Sequence, residues 1–325
     1  MSAQKSRPAH KPSKIAPADL LRSLSSKRRD AMLVRFDDVL AALSCCLGEP
    51  YYAGNGFILY QGDCVQLLSE VAQSSVALDL CVTSPPYNIG KEYESPLSLE
   101  DYLVWSERWM HAVHAASSDC AAFWLNLGYL EIPGIGKRVP LPYLLWEKVP
   151  FYLQQEVVWQ YGAGVSSSRR FAPRNEKWLF YTRHPSQYVF NLDDVRDPNV
   201  KYPNQKKNGK LRCNPLGKNP GDVWAFPKVT SGRNRSSKER TKHPAQFPLA
   251  VVNDVIKVSS NPGDLVVDPF SGSGSTGIAA VGNGRVYLGF EIREDYCELS
   301  VERFRRFELE RQELKQQQVL PLQLA

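Results

Sequence analysis

Short apolar runs alternate with longer amphipathic stretches from Gly56 almost to the end of the chain. The runs predict buried strands at Phe57–Tyr60, Ala77–Thr83, Ala121–Leu125, Gln155–Trp159, Lys177–Tyr181, Asp264–Asp268 and Arg285–Glu291. Helical periodicity lies between several of them, at Leu99–Ala115, Phe247–Ser259 and Ser275–Val281. Strands that alternate with helices predict an α/β fold whose mostly parallel sheet is covered on both faces.

Changes in this pattern divide the chain into four parts. In chain order, the expected parts are residues 1–50, 51–184, 185–242 and 243–325. The first is a basic N-terminal extension that ends in a helix predicted around Leu33–Leu47, and the last ends in a polar helix at Glu294–Gln318. The second and fourth parts carry the predicted strands and therefore the sheet.

The third part, residues 185–242, breaks the alternation. It is rich in Asn, Pro, Gly, Lys and Arg, and it has little apolar sequence beyond Asp222–Pro227. A connection of this length is unusual inside a compact sheet. We therefore expect an inserted segment that projects from the sheet and carries a basic surface.

Charge is distributed unevenly along the chain. The net charge is only +6, but the stretch from Arg169 to Lys242 holds eighteen Lys or Arg against six Asp or Glu. A basic block on an acidic body favours a polyanionic partner, although a merely solvated loop region would look similar. The sequence has no run of eighteen apolar residues and no secretory signal, which predicts a cytoplasmic protein with no membrane partner. Seven cysteines without a Cys-x-x-Cys pair predict no metal site.

A glycine-rich turn follows one predicted strand and opens a helix. Gly272, Gly274 and Gly277 have the spacing of a dinucleotide-binding turn, and Glu291 lies nineteen residues after the first of them, at the end of the next strand. These glycines permit close backbone approach, and the acid can accept hydrogen bonds from ribose hydroxyls. The pattern therefore predicts a cofactor that contains a nucleoside.

The residues before the glycines narrow the choice of cofactor. In a dehydrogenase the strand runs directly into the first glycine, whereas here Asp268, Pro269 and Phe270 intervene. A carboxylate beside the turn would repel a pyrophosphate but would suit an ammonium group. S-adenosyl-L-methionine has an ammonium, a sulfonium and a ribose but no phosphate, so we expect it here. A nicotinamide-dependent dehydrogenase remains the alternative use of the same glycines.

A second motif, Thr83–Asn88, follows another predicted buried strand. Pro85 and Pro86 remove two backbone donors and leave carbonyl groups that can only accept hydrogen bonds. With the hydroxyl of Ser84, these carbonyls could hold an exocyclic amine, which is a donor, while Tyr87 could stack on a flipped base. Since the carboxyl ends of parallel strands line one crevice, we expect this motif to face the cofactor turn.

Together the two motifs resemble those of the amino-methyltransferases of DNA, in the beta subgroup, whose catalytic motif precedes the cofactor motif. The resemblance covers about Phe57–Phe304 and implies a Rossmann-like S-adenosylmethionine-dependent methyltransferase fold. It implies a catalytic motif made of Ser84, Pro85, Pro86 and Tyr87. It implies cofactor contacts from Asp63, His243, Pro244, Asp268, Pro269, Phe270, Gly272, Gly274, Thr276 and Glu291.

The resemblance also implies a partner, double-stranded DNA, and places a target-recognition region at residues 185–242, between the catalytic part and the cofactor-binding part. The basic residues expected to contact DNA are Arg169, Arg170, Arg174, Lys206, Lys207, Lys210, Arg233 and Arg235. The family's commonest setting adds a restriction endonuclease that acts on the same site. A non-catalytic DNA-binding module would explain the basic block but not the cofactor turn.

The first residue of the catalytic motif bears on the target base. The family usually has Asp there in adenine-N6 enzymes and Ser in many cytosine-N4 enzymes, so Ser84 favours cytosine N4. Adenine N6 stays open as the alternative. A cytosine-C5 enzyme needs a nucleophilic Cys in a Pro-Cys pair, and this chain contains no such dipeptide.

Overall fold

The computed structural model of the protein describes residue 20 and residues 24–162, 166–229 and 239–319. The main sheet has nine strands: β1 Tyr52–Gly54, β2 Phe57–Gln61, β3 Leu78–Thr83, β4 Ser117–Leu127, β7 Tyr152–Gln160, β8 Asn175–Thr182, β11 Val223–Ala225, β12 Leu265–Asp268 and β13 Val286–Glu291. Two small hairpins stand apart from it, β5 Tyr129–Ile132 with β6 Gly136–Pro140 and β9 Lys206–Lys207 with β10 Lys210–Leu211.

Seven α-helices pack around or extend from this sheet in the described part of the chain. They are α1 Ser26–Leu47, α2 Cys64–Val71, α3 Leu99–Ala116, α4 Leu141–Leu145, α5 Leu249–Ser259, α6 Ser275–Gly282 and α7 Glu294–Val319. Short 3-10 turns occupy Trp146–Lys148 and Leu192–Val195. None of these helices is long and apolar enough to cross a membrane, as far as the described residues go.

The strand order is β1-β2-β13-β12-β3-β4-β8-β7-β11. Strands β2, β13, β12, β3 and β4 run parallel to one another, whereas β8 is antiparallel to both β4 and β7. All seven predicted strands and all five predicted helices are present, so the predicted α/β fold is confirmed. The predicted strands contain the most apolar positions, and four of them, β2, β3, β12 and β13, are buried along almost their whole length.

The strand order reverses at β12, which lies between β13 and β3 although it follows both β3 and β4 in the chain. At such a switch point the connections leave on opposite faces of the sheet and open a crevice at the carboxyl ends of the strands. The loops after β2, β13, β12 and β3 all emerge at this edge. The fold therefore brings Asp63, Glu291, Pro269 and Ser84 to one side of the molecule.

The inserted segment does not project from the sheet as a whole, which corrects the expectation for residues 185–242. Val223–Ala225 returns to the sheet and pairs in parallel with β7 as its edge strand. A loop closed by the pairing of Asp197 with Lys218 carries the small β9–β10 hairpin. That hairpin turns at Asn208 and Gly209, with φ of 51° and 76°, which is the turn that an Asn-Gly dipeptide favours.

The described part of the N-terminal extension likewise packs on the sheet rather than apart from it. Helix α1, within residues 1–50, buries Met32, Phe36, Val39 and Leu43 in the same hydrophobic core as the sheet. The structure also adds elements that the periodicity did not predict, such as α2, which begins where the Asp63 carboxylate accepts a hydrogen bond from the amide of Val65 at 2.7 Å.

Candidate active site

A cavity of about 420 Å³ opens at the carboxyl edge of the sheet, within the size range of small-molecule sites. Most residues predicted to bind cofactor or substrate line it: Asp63, Ser84, Pro85, Pro86, Tyr87, His243, Pro244, Pro269, Phe270, Gly272 and Glu291. Asp268, Gly274 and Thr276 lie behind this lining rather than in it. The two motifs, almost two hundred residues apart in the chain, therefore share one site.

The glycine turn has the geometry that its sequence predicts. Gly272 and Gly274 have φ of 51° and 71°, a region that residues with a side chain rarely adopt. A Cβ on Gly272 would lie 2.9 Å from Nε2 of His243, and one on Gly277 would collide with the rings of Phe57 and Tyr287. Glycine is thus required both for the turn and for the close packing of α6 on the sheet.

Glu291 is held in place at the end of β13. Its Oε2 accepts a hydrogen bond from the Gly272 amide at 2.8 Å and its Oε1 accepts one from the Arg293 amide at 3.0 Å. The side chain lines the cavity and is largely buried, and this burial raises its pKa above the usual value. Each carboxylate oxygen keeps acceptor capacity for a ribose hydroxyl, which fits the role predicted for this acid.

Asp268 does not reach the cavity, and this corrects the direct cofactor contact expected of it. The residue is 1% exposed, and its Oδ1 accepts hydrogen bonds from Thr83 Oγ1 at 2.6 Å and the Phe270 amide at 3.1 Å. Its Oδ2 accepts one from Thr276 Oγ1 at 2.7 Å. Burial raises the pKa of Asp268 to about 6. The carboxylate instead ties the strand before the catalytic turn to the glycine turn.

Thr276 and Gly274 also act from behind the cavity. Thr276 is fully buried, and its hydroxyl donates to Asp268. Gly274 is the N-cap of α6, and a Cβ there would meet Ser300. Both shape the turn without offering a group to a ligand. Sequence spacing locates such residues in the turn but cannot tell which side of the backbone faces the cavity.

The catalytic turn is organised around the Tyr87 hydroxyl. This oxygen lies 2.9 Å from Ser84 Oγ, 3.0 Å from Asn126 Oδ1 and 3.1 Å from the Asn126 carbonyl oxygen. Burial, reinforced by the negative charge of Glu176, raises the pKa of Tyr87 well above its usual value, so the phenol stays neutral. Ser84, Tyr87 and Asn126 therefore form one connected group of oxygen acceptors beside the cavity.

One predicted acceptor is already partly used. The Tyr102 hydroxyl donates to the Pro86 carbonyl at 2.9 Å, and Tyr102 itself is buried in α3. This bond ties the catalytic turn to α3. It leaves the Ser84 hydroxyl and the remaining carbonyl capacity of the turn to hold an amine.

Glu94 was not expected from the sequence, yet it holds the loop after the catalytic motif. Its Oε1 accepts from the Tyr87 amide at 3.1 Å, and its Oε2 accepts from the amides of Ile89 and Gly90 at 2.7 and 3.1 Å. Between them, Asn88 adopts a positive φ of 59°. The signal that could have found Glu94 is an acid placed four residues after an Asn-Ile-Gly turn, where free amides need an acceptor.

His243 forms part of the wall between the two motifs. Its ring stacks on Tyr93 with centroids 5.7 Å apart and meets Tyr296 edge to face at 4.5 Å. Burial, with the charge of Arg303 as a second cause, lowers the pKa of His243 to about 4. A neutral imidazole places no positive charge beside the cavity, which suits a cationic ligand such as a sulfonium.

The basic residues predicted to contact DNA fall into two groups. Arg169, Arg170 and Arg174 lie between β7 and β8, in a connection that leaves and re-enters the sheet at the cavity edge. Arg169 and Arg170 are exposed, whereas Arg174 is partly buried and donates to the Pro173 carbonyl at 2.8 Å. The second group, Lys206, Lys207 and Lys210, is exposed on the β9–β10 hairpin and does not line the cavity. Arg233 and Arg235 lie outside the described residues.

Comparison with known proteins agrees with this geometry. The family model described as DNA methylase, N6_N4_Mtase, matches residues 78–302. The type II methyltransferase M.ScaI of Streptomyces caespitosus is 58% identical over 281 residues, covering 86% of this chain and 90% of that protein. The DNA adenine methyltransferase YhdJ of Escherichia coli (strain K12) is 31% identical over 264 residues, covering 78% of this chain and 85% of that protein.

Solved structures share the fold. The cytosine-N4-specific PvuII DNA methyltransferase superposes with a TM-score of 0.62 at 20% identity, covering 81% of this chain and 94% of that one. The complex of M1.HpyAVI with SAM superposes with a TM-score of 0.51 at 22% identity, covering 76% of this chain and 98% of that one. The chain therefore belongs to the N6_N4_Mtase family of DNA methylases, whose methyl donor is S-adenosyl-L-methionine.

Proposed function

We propose that the protein methylates cytosine at N4 in a specific sequence of double-stranded DNA. The observation that carries this proposal is the connected acceptor group of Ser84, Tyr87 and Asn126, which lines the same cavity as the glycine turn. An exocyclic amino group needs acceptors for its two N–H donors, and this group supplies them. Ser84, in place of the Asp usual in adenine enzymes, supports cytosine over adenine.

The cofactor end of the site comprises Asp63, Glu291 and the wall formed by Phe270 and His243. The fixed Glu291 carboxylate can accept hydrogen bonds from ribose hydroxyls, and the exposed Asp63 can accept one from the adenine. Because His243 is neutral, it does not repel the positive charge of the sulfonium. When bound, S-adenosyl-L-methionine supplies an electrophilic methyl group. Because this cofactor contains no phosphate, the carboxylates of the site would not repel it.

The chain's own residues would act by positioning. The Ser84 hydroxyl and the carbonyls of the turn accept the amine hydrogens, which turns the nitrogen lone pair toward the methyl donor. A nitrogen–carbon bond forms as the carbon–sulfur bond breaks, and the methylated nitrogen then releases one proton to solvent. No covalent bond to the enzyme forms, and the base must first leave the duplex.

DNA would be held by basic residues around the site. Arg169 and Arg170 are well placed for phosphates because their loop opens at the cavity edge. Lys206, Lys207 and Lys210 form a second candidate surface, and Arg174, Arg233 and Arg235 remain candidates. Residues 185–242 are proposed as the target-recognition region, flanked by catalytic residues 51–184 and cofactor-binding residues 243–325.

We also propose a type II modification role with a cognate restriction endonuclease, as the likeness to M.ScaI supports. A cytoplasmic location suits this role.

The proposal is tested by incubating the purified protein with S-adenosyl-L-methionine and DNA of mixed sequence, then mapping the modified positions by sequencing. We expect a single short sequence to be modified, always at a cytosine. Modification confined to adenines would reject the cytosine-N4 assignment, and random modification would reject sequence specificity.

A further inference from the structure

The cavity continues beyond the catalytic turn, under the ends of four more strands. Beyond β3, the sheet order is β4, β8, β7 and β11. The residues that line the cavity here are Asn126 of β4, Glu176 of β8, Trp159 of β7 and Lys228, three residues after the end of β11. Neighbouring strands lie about 4.8 Å apart, so Glu176 on β8, two strands from β3, and the Lys228 ammonium that contacts it lie about 10 Å along the sheet from Ser84. This part of the cavity is the space in which the ring of a base held by its amine at Ser84 would lie.

Lys228 is held firmly in this distal part. Its Nζ lies 3.0 Å from Glu176 Oε1 and 3.9 Å from the centre of the Tyr161 ring. The side chains of Lys228 and Glu176 are only 24% and 18% exposed. Tyr161 also donates from its hydroxyl to the Asn175 carbonyl at 3.1 Å, which fixes the ring under the ammonium. The contacts with Glu176 and Tyr161 therefore hold the lysine side chain in one conformation.

The ammonium group retains a donor for a ligand. It carries three N–H bonds; one points to Glu176 and one faces the Tyr161 ring. Across the described residues, Glu176 is its sole hydrogen-bond partner. A half-buried cation with an unused donor at a cavity wall is stabilised by an acceptor on whatever fills the cavity.

The neighbouring tryptophan offers no such polar contact. Trp159 Nε1 donates a hydrogen bond to the Phe226 carbonyl at 2.9 Å, so the cavity meets only the apolar part of the ring. Beside Asn126, the distal part thus combines one apolar wall with one positively charged hydrogen-bond donor, which is paired with the Glu176 carboxylate. This combination suits a flat ring that carries a single strong acceptor at its rim.

We propose that Lys228, held by Glu176 and Tyr161, donates a hydrogen bond to the 2-carbonyl oxygen of the flipped cytosine and so favours cytosine over adenine. Both bases carry the exocyclic amine, but cytosine alone has a carbonyl oxygen on the same ring, whereas adenine offers only ring nitrogens. A carbonyl oxygen is the stronger partner for an ammonium. The inference rests on the proposed cytosine-N4 activity and assigns the residue that discriminates the base.

The experiment uses the full-length protein and duplexes that contain its mapped site. In one duplex the target is cytosine; in the other it is a pyridine C-nucleoside that keeps the amine and the adjacent ring nitrogen but lacks the 2-carbonyl. Single-turnover methyl transfer is measured for the parent, for Lys228→Met and for Lys177→Met. Lys177 is the matched control, because it forms an ion pair with Glu156 at the same 3.0 Å but does not line the cavity.

We expect the parent to lose roughly tenfold to a hundredfold in rate on the pyridine duplex, the usual effect of removing a charge-assisted hydrogen bond. Lys228→Met should lose a similar factor on cytosine but little more on pyridine, because the two changes remove the same hydrogen bond. Lys177→Met should behave as the parent, and cofactor affinity should be unchanged in both variants.

The inference would be overturned if Lys228→Met lost as large a factor between the cytosine and the pyridine duplex as the parent does. It would also be overturned if Lys228→Met were as fast as the parent on cytosine. If Lys228→Met does not fold, the double variant Glu176→Gln/Lys228→Met takes its place, since it leaves no unpaired charge. Its rates on the cytosine and pyridine duplexes must likewise be similar. Failure of the proposed function is distinguishable from this outcome. A parent enzyme that modifies only adenine would reject the cytosine-N4 activity before any lysine variant is measured.

Discussion

At the scale of single residues, Tyr87 is the residue on which binding of the target base depends most. We expect Tyr87→Ala to slow methyl transfer well over tenfold while cofactor affinity stays near that of the parent, because the ring and its hydroxyl belong to the target-base side of the cavity. Tyr87→Phe keeps the ring and should lose less. Single-turnover rates and calorimetry give the two quantities.

The control for this series is Tyr143→Ala, since Tyr143 is 73% exposed and lies outside the catalytic cavity. Its rate should equal that of the parent. If Tyr87→Ala also transfers methyl groups at the parent rate, the catalytic turn does not hold the target base.

Asp268 gives a second prediction at this scale, in pH dependence. Its pKa is about 6 in the folded protein against an ordinary value of 3.8, so its contribution to stability is complete below pH 3.8 and is lost as the pH rises through 6. We expect Asp268→Asn, which stays neutral, to lose less unfolding free energy between pH 4.5 and 7.5 than the parent does. The difference should be about 2 kcal/mol, since part of the contribution is already gone at pH 4.5.

Urea unfolding at the two pH values measures this difference directly. The comparison isolates Asp268, because Asp264, whose pKa burial also raises to about 6, is present in both proteins. An equal pH dependence in parent and variant would mean that the Asp268 carboxylate is not buried as the structure places it.

At the scale of elements, the packing of α6 on the sheet is the feature most sensitive to one added carbon. We expect Gly277→Ala to destabilise the protein by about 1–3 kcal/mol, the usual cost of overpacking, because its Cβ would meet the rings of Phe57 and Tyr287. Gly221→Ala is the control, since its Cβ would find no atom within 4 Å. Equal unfolding free energies for the two variants would contradict the predicted close packing.

The β7–β8 connection and the β9–β10 hairpin are the elements that differ most in their expected relation to DNA. Removing Arg169 and Arg170 should lower affinity for specific and random duplexes alike and reduce the salt slope by about two. Removing Lys206, Lys207 and Lys210 should reduce the slope by about one unit for each phosphate that these lysines bind. Binding titrations at several salt concentrations measure both slopes. An unchanged slope would remove the group concerned from the DNA interface.

At the scale of the whole molecule, periodicity was enough to predict the sheet, because the buried strands are short, apolar and separated by clear turns. It was also enough to predict that the two motifs meet, since the carboxyl ends of parallel strands share an edge. It was insufficient for β11, whose three residues gain their strand conformation only by pairing with β7. The carboxylate of Asp268 faces away from the cavity because it accepts hydrogen bonds from the hydroxyls of Thr83 and Thr276. The spacing of residues in the sequence does not predict these two bonds.

The residues of the distal cavity illustrate the same limit. Glu176 and Lys228 are separated by fifty-two positions, and each looks like an ordinary surface charge in the sequence. They meet because β8 begins and β11 ends at the same edge of the sheet, on either side of β7. Pairwise contacts of this kind follow from tertiary structure, so a sequence pattern identifies the catalytic turn more readily than the residues that select its substrate.

The central claim, transfer of a methyl group to cytosine N4, is tested most directly by isotope tracing. DNA of mixed sequence is incubated with the protein and with S-adenosyl-L-methionine that carries a deuterated methyl group, then digested to nucleosides for mass spectrometry. We expect the label in N4-methylcytosine and none in N6-methyladenine or 5-methylcytosine. Label found only in N6-methyladenine would contradict the assignment of the base, and no label in DNA at all would contradict the proposed activity itself.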